Sequence, residues 1–403
     1  MGRSRVAHLC CIGLLFVACD DAAPVVPPAT DGGGGAEAVP LTDVLSRLAN
    51  DLMTPAFVRF ADLSLALEEA VDAWAATPSD TMLRDAAREA WLSATLAWQR
   101  AELMQVGPAG AADKRVGGAD LRDRIYSWPT TRPCRIDQAL LDGQYAEAGW
   151  LDGALYDVQG LDALEYLLFV DSDDNACPDA VRINREGLWD AEFGAQPELL
   201  AQRRAEYAAV VAAGVNRAAN ELVMAFGADG GFAMALAAGA APYTDPAHAL
   251  DEVFAALFYS DTHIKDAKLG RPLGIADGCD SERCPDAFES RYSGRAAAHL
   301  AANLESFEAL FFGTVDGEDG PGFDDLLVAR DAGDLASRMA ANLVAAREAV
   351  VALGPNLPAA LETEPLAVEA AHAAVRTVTT ELKGDVVSIL DLAVPREGAG
   401  DAD

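Results

Sequence analysis

Apolar residues recur at three- and four-residue intervals along most of this chain. From Leu41 to Ala76 the series Leu45, Leu48, Leu52, Leu63, Leu67 and Val71 marks one face of a helix, as a 3.6-residue period requires. Pro55 lies inside that run, and its missing backbone donor predicts a kink. Beyond Thr77-Pro78, Ser79 and Asp80 can cap a second helix that runs to about Val106, where Gly107-Pro108 stops it. The same period predicts helices over 152–169, 178–226, 246–260, 285–312, 333–353 and 365–392. Trp74, Trp91 and Trp98 fall at helical spacing and read as core residues. Alternating strand patterns are nearly absent. The expectation is an all-α chain of long antiparallel helices in two helical-bundle halves, about 41–228 and 246–395, with a disordered tail over 396–403. No clean repeat relates the halves.

The first nineteen residues follow a different rule. Arg3 and Arg5 precede a thirteen-residue apolar stretch, Val6 to Ala18. That is shorter than the roughly 20 residues a membrane span takes, and it suits an export signal. Its end, Phe16-Val17-Ala18-Cys19, resembles a bacterial lipobox with Phe16 at the usual leucine position. The reading is a signal peptide over 1–18, with Cys19 lipidated as the first mature residue and serving as the membrane anchor. A Pro- and Gly-rich flexible tether follows over 19–40. An ordinary secretory signal is the alternative.

Charge narrows the partners. The chain carries 64 Asp and Glu against 30 Lys and Arg, a net charge of −34, and loss of Arg3 and Arg5 with the signal takes it to −36. Nucleic-acid phosphates, which need clustered cations, are excluded as partners; cations and metals are attracted. Outside the signal and Cys19, Cys134, Cys177, Cys279 and Cys284 form an even set, as suits two disulfides in an exported protein. Three pairings are open; Cys134–Cys177 and Cys279–Cys284, each within one half, are favoured. A zinc site is the rival reading, without a CxxC or histidine partner to support it. No phosphate loop, GxSxG elbow or Cys–His signature is present.

The segment with most chemistry is Gly160-Leu161-Asp162-Ala163-Leu164-Glu165, continuing to Phe169. On a helix Asp162 and Glu165 share a face, with Leu161, Leu164 and Leu168 forming the buried stripe. Two carboxylates one turn apart can grip a hard cation if a neighbouring helix adds oxygen ligands, Glu102 being the candidate third ligand. The competing reading is a solvated acidic pair, with Glu102 bound to Arg100 or Arg124.

This stretch resembles the GxHxxE motif of the imelysin family of bacterial envelope proteins, with Gly160 and Glu165 matching and Asp162 at the histidine position. AWQRAELMQVGP (97–108), LRDRIYSWPTTRPCRIDQ (121–138), KDAKLGRPLGI (265–275) and ESRYSGRAAAHLAANLESFEALFFG (289–313) extend the resemblance over roughly 45–395. It implies an all-α fold of two bundle-like halves, an envelope location, and a link to iron or haem acquisition. The family name reflects a reported peptidase activity.

Carboxylate in place of imidazole makes an all-oxygen site, for iron or calcium, the expected departure. The two histidines at i, i+4 that a zincin helix needs are missing. His263 and Asp266 form a second candidate pair, one turn apart if helical, against a salt-bridged turn of Lys265, Asp266 and Lys268 that docks the following loop. Arg291 lies in a segment that lines the cleft between halves in the family, and Arg124 is grouped with it as a candidate cleft residue. The leading expectation is a non-catalytic envelope lipoprotein that binds a cation or iron-containing ligand. A metal-dependent peptidase and a scaffold for another envelope protein are the alternatives.

Overall fold

Helices supply almost all regular structure, as the apolar period predicts. The computed structural model describes residues 39–227 and 231–395. The signal peptide, Cys19, nearly all of the tether and the 396–403 tail lie outside the described residues. No β-strand occurs among the described residues, where Val315 and Glu318 form one isolated bridge.

The first predicted helix is continuous but changes its winding. Leu41–Ser46 leads into a π-helical segment, Arg47–Met53, and then α1, Thr54–Ala76. Pro55 stands at the start of α1, where a missing donor costs least, so the expected kink is absorbed as a wider turn. The Thr54 hydroxyl donates to the Ala49 carbonyl at 2.8 Å. The second helix, α2, spans Thr81–Ala101, and Asp80 caps it by accepting from the amides of Met82 and Leu83 at 2.9 and 3.3 Å.

Three predicted long helices are broken. Short turns at Trp150–Gly153 and Tyr156–Val158 precede α3, Gly160–Phe169. Short helices over Arg182–Arg185 and Leu188–Phe193 precede α4, Pro197–Phe226, with Gly187 at φ 65° between the short pair. The 285–312 segment starts as a single turn and a loop, in which Ser290 and Gly294 both take positive φ, before α6, Ala296–Phe312. Apolar spacing persists through these loops because they too face the core; it reports burial, not backbone continuity. The other helices of twelve or more residues are α5, Pro246–Leu257, α7, Gly333–Ala352, and α8, Pro365–Glu381.

Packing places α3 at the centre. Helix α1 packs against both α2 and α4, and α3 lies against both α2 and α4. Helix α6 crosses to α2, α7 packs on α6 and α8, and the π-helical Ser260–Gly270 segment rests on α8 and α6. One apolar core runs from Val44 to Leu392. It contains Trp74, Trp91 and Trp98, all at most 2 % exposed. Disulfides join Cys134 to Cys177 and Cys279 to Cys284.

Candidate functional site

Helix α3 is buried on every side from Gly160 to Leu168, including both carboxylates. Its start is set by Gly160, at φ 82°, where a Cβ would lie 2.9 Å from the Ile125 carbonyl oxygen. Replacement of Gly160 by alanine is therefore expected to lower stability by about 2 kcal/mol, read as a lower urea midpoint at unchanged slope; an unchanged midpoint would show that this turn tolerates a side chain. Trp91 Nε1 donates to the Leu161 carbonyl at 2.8 Å. At the other end, Arg84 and Arg88 donate to the Leu168 carbonyl at 3.0 and 2.8 Å, satisfying an orphan acceptor of the last turn.

This scaffold holds Asp162 and Glu165 at 6 % exposure each. Asp162 Oδ2 accepts from the Ser127 amide at 2.7 Å and its hydroxyl at 3.2 Å. Glu165 Oε1 accepts from the amides of Tyr292 and Ser293 at 3.1 and 2.8 Å and from the Ser293 hydroxyl at 2.8 Å. Its Oε2 accepts no hydrogen bond among the described residues. Burial dominates both carboxyls and pushes each up to about 7, over the opposing effect of Arg122 on Asp162 and of the Ser293 donors on Glu165. Each also feels Glu289, and Glu165 feels Asp162. Near neutral pH the pair therefore holds protons that carboxylates in water have lost.

Both residues line a cleft of about 410 Å³. Trp128, Tyr166, Phe288 and Tyr292 contribute aromatic walls, and Arg271 and Arg291 add two cations. The cleft lies between α3 and the distant 284–292 segment of the chain.

Glu102, the candidate third ligand, is committed elsewhere. It is fully buried and ion-paired to Lys268 at 2.8 Å and Arg122 at 3.3 Å, and it accepts from the Tyr259 hydroxyl at 2.6 Å. Burial alone would raise its pKa, yet Lys268 and then Arg122 hold it at about 2. Neither anticipated arginine takes this role: Arg100 pairs with Glu305 and Arg124 with Glu221. Lys268 also reaches Glu289 at 2.9 Å, Gln99 at 2.7 Å and Asn303 at 2.7 Å. Glu289 accepts in addition from the Tyr126 hydroxyl.

The second candidate pair separates. His263 stacks on the Tyr259 ring, centroids 3.8 Å apart, and lines a different cleft with Lys114 and Arg122. Burial, followed by the charge of Arg122, pushes it down to about 3 and keeps it neutral. Asp266 sits 3.5 Å from Lys265, which pairs more closely with Asp261 at 2.9 Å. Lys268 points into the core, so the rival salt-bridged turn of Lys265, Asp266 and Lys268 keeps its Lys265–Asp266 contact but is a π-helical segment with both lysines buried. Arg124 lines a third cleft, with Arg217. Of the second set, only Arg291 joins Asp162 and Glu165.

Pattern reading passed over Arg122, Glu289 and Arg271, although each lies in a segment quoted for the family resemblance. A lone charged residue in a sequence carries no mark of burial.

The model of the Imelysin family, Peptidase M75, matches residues 53–386. The chain belongs to the Imelysin family. An iron-regulated protein A precursor, so assigned, from Parabacteroides distasonis has a similar solved structure at 19 % identity, with a TM-score of 0.65, covering 89 % of this chain and 97 % of the other. An imelysin-like protein from Psychrobacter arcticum is similar at 16 % identity, with a TM-score of 0.59, covering 89 % and 99 %. At these identities the solved structures show the shared fold. No curated protein matches. Within this imelysin fold the described helices include none long and apolar enough to cross a membrane.

Proposed function

We propose that this imelysin-family protein binds a metal cation or an iron-containing ligand at the bacterial cell envelope, without catalysis. The supporting observation is the pair Asp162 and Glu165, buried three residues apart, proton-holding near neutral pH, with one glutamate oxygen left open at the cleft. A cation can displace those protons and take over the charge. The donors are oxygens alone, which suits hard ions such as calcium or ferric iron. Iron is favoured by the name of the Parabacteroides neighbour. The envelope address rests on the lipobox-like N-terminus, with Cys19 as the lipid anchor.

The metal-dependent peptidase alternative has no separate observation behind it, and a serine peptidase has a single contact in its favour. Ser290 lines the cleft, and its Oγ lies 3.0 Å from His299 Nδ1. Glu289 approaches that same nitrogen at 3.7 Å, whereas a catalytic triad sets its acid and its serine on opposite ring nitrogens. His299, pushed down to about 3 by burial and then by Lys268, is a poor base. A scaffold role, with the carboxylates anchoring a partner protein, has no separate observation behind it.

Calorimetric titration with Ca²⁺, ferric citrate and haem tests the reading. Saturable binding of at least one is expected, weakened by about 100-fold or more in Asp162→Asn/Glu165→Gln, because two charge-bearing donors are lost. No saturable binding, or binding indifferent to the double substitution, would overturn it.

A further inference from the structure

The next inference rests on that reading of Asp162 and Glu165 and names the class of ligand. Two carboxylates leave most of a hard cation's coordination sphere unfilled, since calcium takes 6–8 oxygens. Among the described residues no group of three or more His, Cys, Asp or Glu side chains is placed to hold a metal. The neighbouring acids do not make up the difference, because Glu102 and Glu289 are both bound by Lys268. Yet the cleft holds about 410 Å³, many times the roughly 30 Å³ that a water molecule occupies in the liquid. The missing donors have room to arrive with the ion.

What they would carry is indicated by Arg271. In a chain with 64 acidic and 30 basic residues, most arginines sit on carboxylates. Arg271 does not: its one hydrogen bond runs from Nε to the Asp277 carbonyl at 2.9 Å. Both terminal nitrogens are without a hydrogen bond among the described residues, and the side chain lines the cleft. Its pose is held from behind. Gly278 lies so close that a Cβ there would stand 2.6 Å from Nε and 3.0 Å from Cζ, and the Cys279–Cys284 disulfide closes the loop that follows Gly278. Arg291, on the same cleft, is more engaged, with the Tyr292 hydroxyl at 2.5 Å and Asp286 at 3.7 Å. An arginine fixed through Nε with its two outer nitrogens free is a bidentate carboxylate receptor.

We propose that the ligand is a cation already chelated by a small organic polycarboxylate. Asp162 and Glu165 take the metal side, and Arg271 takes a free carboxylate of the chelator. Aromatic walls from Trp128 and Tyr292 enclose the organic part.

Calorimetry on the full chain, with ferric citrate, citrate alone, Ca²⁺ alone and anaerobic Fe²⁺ alone, separates the possibilities. Ferric citrate is expected to bind more tightly than any single component. Arg271→Ala should weaken ferric citrate by about 10- to 100-fold, the loss of a charged bidentate contact, with Ca²⁺ affinity unchanged. Arg271→Lys should recover only part, because an ammonium cannot supply the fork. If bare cations bind as well as ferric citrate, and Arg271→Ala leaves both alone, this inference falls while the cation-site reading stands. If neither bare ion nor chelate binds, both fall. If citrate alone binds as tightly as ferric citrate, the metal plays no part and both fall likewise.

Discussion

The variant Asp162→Asn/Glu165→Gln is expected to be more stable than the natural protein at pH 8 and nearly equal to it at pH 4. Both carboxyls are pushed up to about 7, first by burial. A raised folded pKa means that the native state favours the protonated form. Stability from that preference is fully present below the ordinary carboxylate range and is lost as pH rises through about 7. The loss is on the order of 3 kcal/mol for each group. Asn and Gln keep an oxygen for the Ser127, Tyr292 and Ser293 donors and cannot ionise, so they escape it. Arg122 and Glu289, together with Arg271 and Arg291 on the cleft, are present in both proteins and cancel in the difference. Urea unfolding across this pH range, with EDTA present, should show a gap that opens by several kcal/mol. A constant gap would mean that the two side chains titrate as they do in water. A bound cation should restore much of the loss in the natural protein and none in the variant.

Loss of Lys268 is expected to be the most damaging single substitution in the buried network. Its ammonium is fully buried and lies 2.8 Å from Glu102 and 2.9 Å from Glu289. Lys268→Met fills the volume but leaves two carboxylates in the core, Glu102 with Arg122 still beside it and Glu289 with the neutral partners Gln99 and Tyr126. Breaking a buried pair from one side costs about 3–5 kcal/mol, well above what a surface pair contributes. Adding Glu289→Gln should return part of that, because the excess charge is removed, and a double-mutant cycle would report the coupling. A loss below about 1 kcal/mol for Lys268→Met would show that water or rearrangement relieves the stranded acids.

Helix content and core composition were legible from apolar spacing alone, as Trp74, Trp91 and Trp98 illustrate. Asp80 was legible as a cap because its chemistry is local. What spacing could not separate was a helix from a buried loop, hence the unbroken helix expected over 285–312. The site divided in the same way. Asp162 and Glu165 were found because they are three residues apart on one element. Arg271 and the Tyr292–Ser293 amides lie more than a hundred positions further along the chain and meet them only after folding. Glu102 was drawn towards the wrong cluster, since its true partners Arg122, Tyr259 and Lys268 lie 20, 157 and 166 positions along the chain.

Glu165 divides its two oxygens between two tasks. One is stitched to the backbone amides of Tyr292 and Ser293, and the other is left open at the cleft. The stitch and the ligand therefore draw on the same negative charge. A cation that pulls electron density towards Oε2 must loosen the grip of Oε1 on Tyr292 and Ser293, and a proton does so more strongly. How tightly the Tyr292–Ser293 turn is held against α3 is thus readable from inside the cleft, through one side chain, with no moving lid required.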